Sequence, residues 1–151
     1  MSRRVLRGFD PQAFRRARLA YRRKGISPQD LGRLSDVGES TIWAWENGTR
    51  APNIDTLARA AAVLGVPLSR IVRIPPRKRT LADLRNLAGF TQPQLAKAVG
   101  MTTTALSKLE RAETHLTAAR AQALAPLLAV STEEVHAAWQ RARDRPPGTP
   151  A

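Results

Sequence analysis

Two stretches of the chain combine an apolar face with a polar one at helical spacing, and they are where its chemistry is concentrated. The first reads Leu31-Gly32-Arg33-Leu34-Ser35-Asp36-Val37-Gly38-Glu39-Ser40-Thr41-Ile42-Trp43-Ala44-Trp45-Glu46-Asn47-Gly48, and the second Leu95-Ala96-Lys97-Ala98-Val99-Gly100-Met101-Thr102-Thr103-Thr104-Ala105-Leu106-Ser107-Lys108-Leu109-Glu110-Arg111-Ala112. Each reads as two short helices joined by a tight turn. Leu31, Val37, Ile42 and Trp45, or Leu95, Val99, Met101, Leu106 and Leu109, face one core. The later helix of each pair keeps a polar outer side able to lie in a DNA major groove. Catalysis finds no such support. There is no nucleophile with a base at useful spacing, no glycine-rich phosphate loop and no carboxylate pair in an apolar setting.

The charge balance agrees with an anionic partner. The 151 residues hold 25 basic and 12 acidic side chains, a net charge of +13, so nucleic acid leads and an anionic membrane surface comes second. The membrane reading is the weaker one, because no helix joins a large unbroken apolar face to a basic one. With no cysteine there are no disulfides and no zinc finger, and His115 and His136 are too far apart in the chain to pair on one helix turn, so no metal or cofactor is expected. Residues 1–10 carry Arg3, Arg4 and Arg7 but no signal-peptide stretch, and the longest apolar run, 60–66, is too short to span a bilayer. The expectation is a soluble, cytoplasmic, nucleoid-associated protein.

The elements that position these stretches are duplicated. One fixed shift superposes the halves without a gap, bringing Leu31 onto Leu95, Arg33 onto Lys97, Ile42 onto Leu106, Glu46 onto Glu110 and Val66 onto Val130. The expected layout is a basic arm over 1–11, one domain over 12–74, a linker over 75–79, a second domain over 80–145 and a tail over 146–151. Helices are expected over 14–24, 28–35, 39–47, 53–64 and 67–72, then 92–99, 103–111, 117–128 and 132–143, with no strand. Ser27-Pro28 and Thr91-Gln92-Pro93-Gln94 supply helix starts at equivalent places. A steep meeting of the two motif helices needs a small facing residue, supplied by Gly32 and Ala96, and a turn residue tolerant of positive φ, supplied by Gly100 and, with some strain, Asp36.

The motif resembles the phage-repressor or Cro-like helix-turn-helix family, also called the xenobiotic-response-element family, through Ser40-Thr41-Ile42, Trp45-Glu46-Asn47-Gly48 and Ala51-Pro52 in copy one. In copy two the resemblance lies in Thr91-Gln92, Leu95-Ala96, Val99-Gly100 and Leu109-Glu110. It implies an all-α chain of two tandem five-helix domains, with each third helix reading bases. The base-facing positions it implies are Glu39, Ser40, Trp43 and Ala44, with Thr41 beside them, and Thr103, Thr104, Ser107 and Lys108, with Thr102 beside them. Gln92 stands where the family places a glutamine contacting DNA and the recognition helix, while copy one has Pro28 there and Gln29 next. Asn47, Thr49 and Arg50, or Arg111 and Thr114, occupy the phosphate-holding loop. The family pairs the third-helix glutamate with a first-helix arginine. Arg85 and Glu110 can do so, but copy one has Tyr21 at the matching position and is expected to be less rigid. Ser35, Asp36 and Ala112 are further departures.

Several positions admit two readings. Trp45 is core, whereas Trp43 suits either a DNA contact or an interdomain or dimer surface. Glu39 suits cytosine or the helix N-terminus, and Lys108 suits guanine or a phosphate. Arg3, Arg4 and Arg7 form a minor-groove arm or a nonspecific tether, and Arg77, Lys78 and Arg79 grip the DNA backbone or solubilise a linker. His115 suits a phosphate contact and His136 a packing or surface place. The resulting expectation is a specific double-stranded DNA-binding regulator, a repressor acting by steric occlusion. One chain would read an asymmetric site through two unlike helices. Five extended linker residues reach about 15 Å of the roughly 34 Å between successive grooves. The alternative is an antitoxin-like or protein-interaction role, in which one copy binds a protein partner or forms a homodimer.

Overall fold

The computed structural model describes residues 6–151, so Arg3 and Arg4 lie outside the described residues. Its α-helices are α1 (Pro11–Ala20), α2 (Pro28–Ser35), α3 (Glu39–Glu46), α4 (Ile54–Leu64), α5 (Leu81–Leu87), α6 (Gln92–Ala98), α7 (Thr103–Glu110), α8 (Ala118–Leu128) and α9 (Thr132–Arg143). Among the described residues the only extended pairing is an isolated bridge between Phe9 and Val72. The chain divides into two compact units, Met1–Arg73 and Ile74–Ala151.

In the first unit the starts of α1, α2 and α4 follow from a side chain able to accept a free amide. Asp10 accepts from Gln12 and Ala13 N, Ser27 from Asp30 N, and Asn53 from Thr56 N, all at 2.9–3.0 Å. Phe14, Leu31, Ile42, Trp45, Leu57, Ile71 and Val72 fill the core, with Phe14 edge-on to Trp45 at 5.6 Å. Each such side chain contributes about 1.5–3 kcal/mol by leaving water.

Two helices differ from expectation. The first ends at Ala20, and Tyr21–Arg23 tighten into a 3-10 turn with Arg22 and Arg23 at φ 47° and 63°. The fifth is only a 3-10 turn, Leu68–Arg70. The backbone beyond it is engaged elsewhere, since Asp10 N donates to Ile71 O at 2.9 Å and Arg73 N to Gly8 O at 2.8 Å. Those groups are lost to a continuing helix.

The second unit keeps five α-helices. Thr80 with Asp83, and Thr91 with Gln94, form capping boxes at α5 and α6, and Ser131 accepts from Glu134 N at α9. Leu84, Leu95, Leu106, Leu109, Leu124, Val135 and Trp139 are buried together. The stretch 75–79 is not the extended linker expected. Pro76–Lys78 form a 3-10 turn, Arg79 Nε donates to Ile74 O at 3.0 Å, and Arg141 Nη1 donates to Arg79 O at 2.7 Å. These bonds fold the stretch back onto its own unit and shorten its reach.

The duplication is visible in the backbone. Gly25, Asp36, Gly48 and Gly65 have positive φ, and so do their equivalents Gly89, Gly100, Ala112 and Ala129. Upstream of Gly25 the register changes. Buried Phe14, Ala17 and Arg18 of α1 stand where buried Leu81, Leu84 and Arg85 of α5 stand, about one helical turn out of the common shift. The ungapped superposition thus fails at the first helix, where copy one carries one extra turn before Gly25.

Candidate nucleic-acid interface

The turn that sets α3 against α2 is tight because Gly32 has no side chain. A Cβ there would lie 2.5 Å from Val37 O. Asp36 closes α2 in the left-handed region, φ 56° and ψ 47°, with its N–H on Gly32 O. Ser35, the polar residue at an apolar place, is buried but satisfied, its hydroxyl donating to Leu31 O. Copy two makes the equivalent turn with Ala96 buried and Gly100 at φ 70°.

Beneath each third helix lies an ion pair. In copy two Arg85 Nε donates to Glu110 Oε2 at 2.8 Å, Arg85 Nη1 to Phe90 O at 2.9 Å, and Gln92 Nε2 to Glu110 Oε1 at 2.9 Å. The expectation that copy one lacks this pair is wrong. Arg18 Nε and Nη2 bind both Glu46 oxygens at 2.8 Å, and Nη1 binds Ile26 O at 2.9 Å. Ile26 is the position equivalent to Phe90, so the guanidinium makes equivalent bonds from a side chain that starts one turn earlier. Both carboxylates are 4% exposed, which makes each pair part of the scaffold that holds its third helix.

A second pair of arginines closes the end of the second helix. Arg59 Nε donates to Ser35 O and Nη2 to Asp36 O, both at 3.0 Å, while Arg120 Nη1 donates to Val99 O at 3.1 Å. Cations at a helix C-terminus satisfy its last carbonyls and oppose the negative end of its dipole. Neither Arg18 nor these caps was read from the sequence. The only available signal was a buried-side arginine on the first helix, hidden by the change of register.

With the inner faces fixed, the outer faces can be read. On α3, Glu39, Ser40 and Trp43 are exposed, while Thr41 and Ala44 are half-buried. Trp43 is 47% exposed, and the Arg18 guanidinium carbon lies 6.0 Å from the centre of its ring. On α7, Thr103, Thr104 and Lys108 are exposed and Ser107 is half-buried. Thr102 caps the helix by accepting from Ala105 N at 3.0 Å, whereas α3 starts at Gly38 with no side-chain cap. Gln29 is exposed in the first turn of α2, and Gln92, in the first turn of α6, is bonded to Glu110.

After the third helices, Asn47, Thr49 and Arg50 are exposed, as is Thr114. Arg111 is occupied, its Nε and Nη2 on Glu113 at 3.0 and 3.1 Å and its Nη1 on Ser107 Oγ at 2.8 Å. The bond from Arg111 holds the Glu113 carboxyl below its ordinary range and raises the guanidinium in turn. Arg7, Arg77 and Lys78 are exposed, while Arg79 is half-buried with Nε engaged on Ile74 O. A cleft of about 460 Å³ beside α7 is lined by apolar Met101, Ala105 and Leu109 together with Thr104, Lys108 and Arg120. His136 is exposed on α9.

In each unit, two helices meet through a left-handed turn, and the later of them, the third helix of the unit, is held by its inner face and leaves its outer face to solvent. That arrangement is a helix-turn-helix, present twice. A helix-turn-helix family model (HTH_3) matches residues 15–71 and again 81–135. The chain therefore belongs to that family, of the xenobiotic-response-element type, whose domains are DNA-binding and regulatory rather than enzymatic. No curated protein and no solved structure gives a match. No helix among the described residues is long and apolar enough to cross a membrane.

Proposed function

We propose that the chain is a sequence-specific double-stranded DNA-binding regulator that represses transcription by occluding its site. Its two third helices read unlike half-sites. The observation that carries this reading is the contrast between the outer faces. Copy one offers Glu39, Ser40 and Trp43, and copy two Thr103, Thr104 and Lys108, on inner faces held by matching ion pairs. Lysine suits guanine, threonine suits several bases, a carboxylate suits cytosine and an indole suits a thymine methyl or sugar, so the halves call for different sequences. Cationic surface supplies affinity through counterion release, and the base contacts supply discrimination. Gln29, Thr41, Ala44, Asn47, Thr49 and Arg50 complete the first surface, and Gln92, Thr102, Ser107, Arg111 and Thr114 the second. Arg7, Arg77, Lys78 and Arg79 add backbone contacts. The site of action on this reading is the cytoplasmic nucleoid, and no cofactor or metal is required.

Alanine at Thr103, Thr104 and Lys108 tests it. Sequence preference is expected to fall by about 1–3 kcal/mol at each base read. Unchanged preference contradicts a reading role for α7.

A second reading is favoured by a specific observation. Among the described residues Leu19, Leu34 and Trp43 are the large exposed apolar side chains, and all three lie in copy one. On that reading copy one binds a protein, as an antitoxin does, or a second copy of the chain. Trp43→Ala then weakens self-association or partner binding and leaves duplex affinity unchanged.

A further inference from the structure

We propose that α9 is a brace that fixes the backbone of the loop after α7, making copy two the tighter phosphate-holding half. This rests on the DNA-binding reading above. Three side chains from α9 and its immediate C-terminal end donate to successive parts of that loop. Arg145 Nη1 donates to Arg111 O at 2.6 Å, Arg143 Nη1 to Ala112 O at 3.0 Å, and Trp139 Nε1 to Thr114 O at 3.1 Å. The Trp139 ring also lies 6.0 Å from His115, tilted by 33°, and the Arg143 guanidinium carbon lies 6.0 Å from the ring centre on which it rests.

The carbonyls of residues 111, 112 and 114 therefore point at α9. The peptides are trans, so the His115 N–H is turned away from α9. With the Ala112 and Glu113 N–H groups already on Leu109 O and Lys108 O, the loop offers the His115 N–H and its side chains on the face away from α9, the side from which an anion would be met. The pinning also serves Ala112, which holds φ 57° in a place where copy one has Gly48. Outside bonds replace the conformational freedom that alanine lacks there.

Among the described residues copy one shows no counterpart. Its segment after α4 is the 3-10 turn Leu68–Arg70, and among the described residues no side chain of 66–73 bonds the loop 47–50. That loop holds itself, with Thr49 N and Arg50 N both on Ala44 O at 3.0 and 3.3 Å. A preordered loop loses less freedom when it meets a phosphate, so identical contacts yield more affinity from copy two.

The test uses the full chain with Arg145→Met, which leaves the buried face of α9 intact, and Trp139→Phe, which keeps a ring and removes the donor. Amide exchange is followed at Ala112 and Glu113, whose N–H groups donate to Leu109 O and Lys108 O. Each variant is expected to speed that exchange about fivefold, the loss of one hydrogen bond, while amides in the centre of α8 stay unchanged. Affinity for a mixed-sequence duplex is expected to fall severalfold with base preference retained. Unchanged exchange at Ala112 and Glu113 in Arg145→Met overturns the brace. Faster exchange with unchanged duplex affinity overturns the claim that the braced loop holds phosphate. If the wild-type chain binds no duplex, the DNA reading has failed, and the exchange result still decides whether the brace exists.

Discussion

Arg18 and Glu46 in the first unit form the bond that Arg85 and Glu110 form in the second, although the shift that carries Glu46 onto Glu110 carries Arg18 onto Ala82. An extra turn between the first and second helices moved the arginine's backbone, yet the guanidinium still bridges the third-helix carboxylate and the carbonyl of residue 26 or 90. The chain also makes this kind of exchange at Arg59 and Arg120, which cap equivalent carbonyls from places one turn apart in register. What the two copies share is the bond rather than the residue number.

Removing one partner of a pair this buried leaves an unpaired charge. Arg18→Met is expected to destabilise the first unit by about 3–5 kcal/mol in urea unfolding. Adding Tyr21→Arg, the position suggested by ungapped superposition, is expected not to restore stability, because residue 21 lies beyond the end of α1. Rescue by that second change contradicts the register described.

Ala129 ends α8 at φ 56° and is exposed, where copy one has Gly65. Ala129→Gly relieves the crowding of its Cβ and is expected to raise stability by about 0.5–1 kcal/mol in thermal unfolding. A loss of stability there contradicts a strained cap.

Much of this architecture was legible in local chemistry. Ser27 and Thr91 cap helices at the starts their neighbours mark, and Asp36 adopts the left-handed turn expected of it, while Asn53 and Thr102, placed within a helix and beside the base-facing positions, also act as caps. Trp45 is buried and Trp43 exposed because they follow Ile42 by different fractions of a helical turn and so fall on different faces. Long-range bonds were not legible. Nothing local says that Ile71 and Arg73 bond residues 8–10 instead of continuing a helix, that Arg141 reaches Arg79, or that Arg18 substitutes for position 21. Such pairings depend on tertiary proximity, and a self-comparison without gaps hides an inserted turn.

Gly32 and Ala96 occupy equivalent positions but are not interchangeable. Gly32→Ala puts a methyl 2.5 Å from Val37 O and is expected to cost about 1–3 kcal/mol by parting α2 from α3. Ala96→Gly, which only frees a helical backbone and removes one methyl, is expected to cost about 1 kcal/mol. No loss of stability from Gly32→Ala in denaturant titrations contradicts a closer helix approach in the first unit.

Glu113 holds Arg111 and places a negative charge in the expected phosphate-holding loop. Its carboxyl lies below the ordinary range in the folded chain, so whatever the pair adds to folding is present above the unfolded pKa and lost as pH falls through the folded one. Both groups are exposed, so that contribution is small. On DNA the expected effect is larger and opposite in consequence. Glu113→Gln frees Arg111, and duplex affinity is expected to rise, with the slope of log affinity against log salt steeper by about 1. An unchanged slope contradicts a phosphate contact from Arg111.

Selection of bound duplexes from a random pool, at about 0.15 M salt where nonspecific attraction is screened, tests the central claim most directly. The account predicts one enriched site with two unlike halves, the half assigned to α7 losing its preference when Thr103, Thr104 and Lys108 are replaced by alanine. A symmetric palindrome untouched by those replacements, or no enrichment at all, contradicts it.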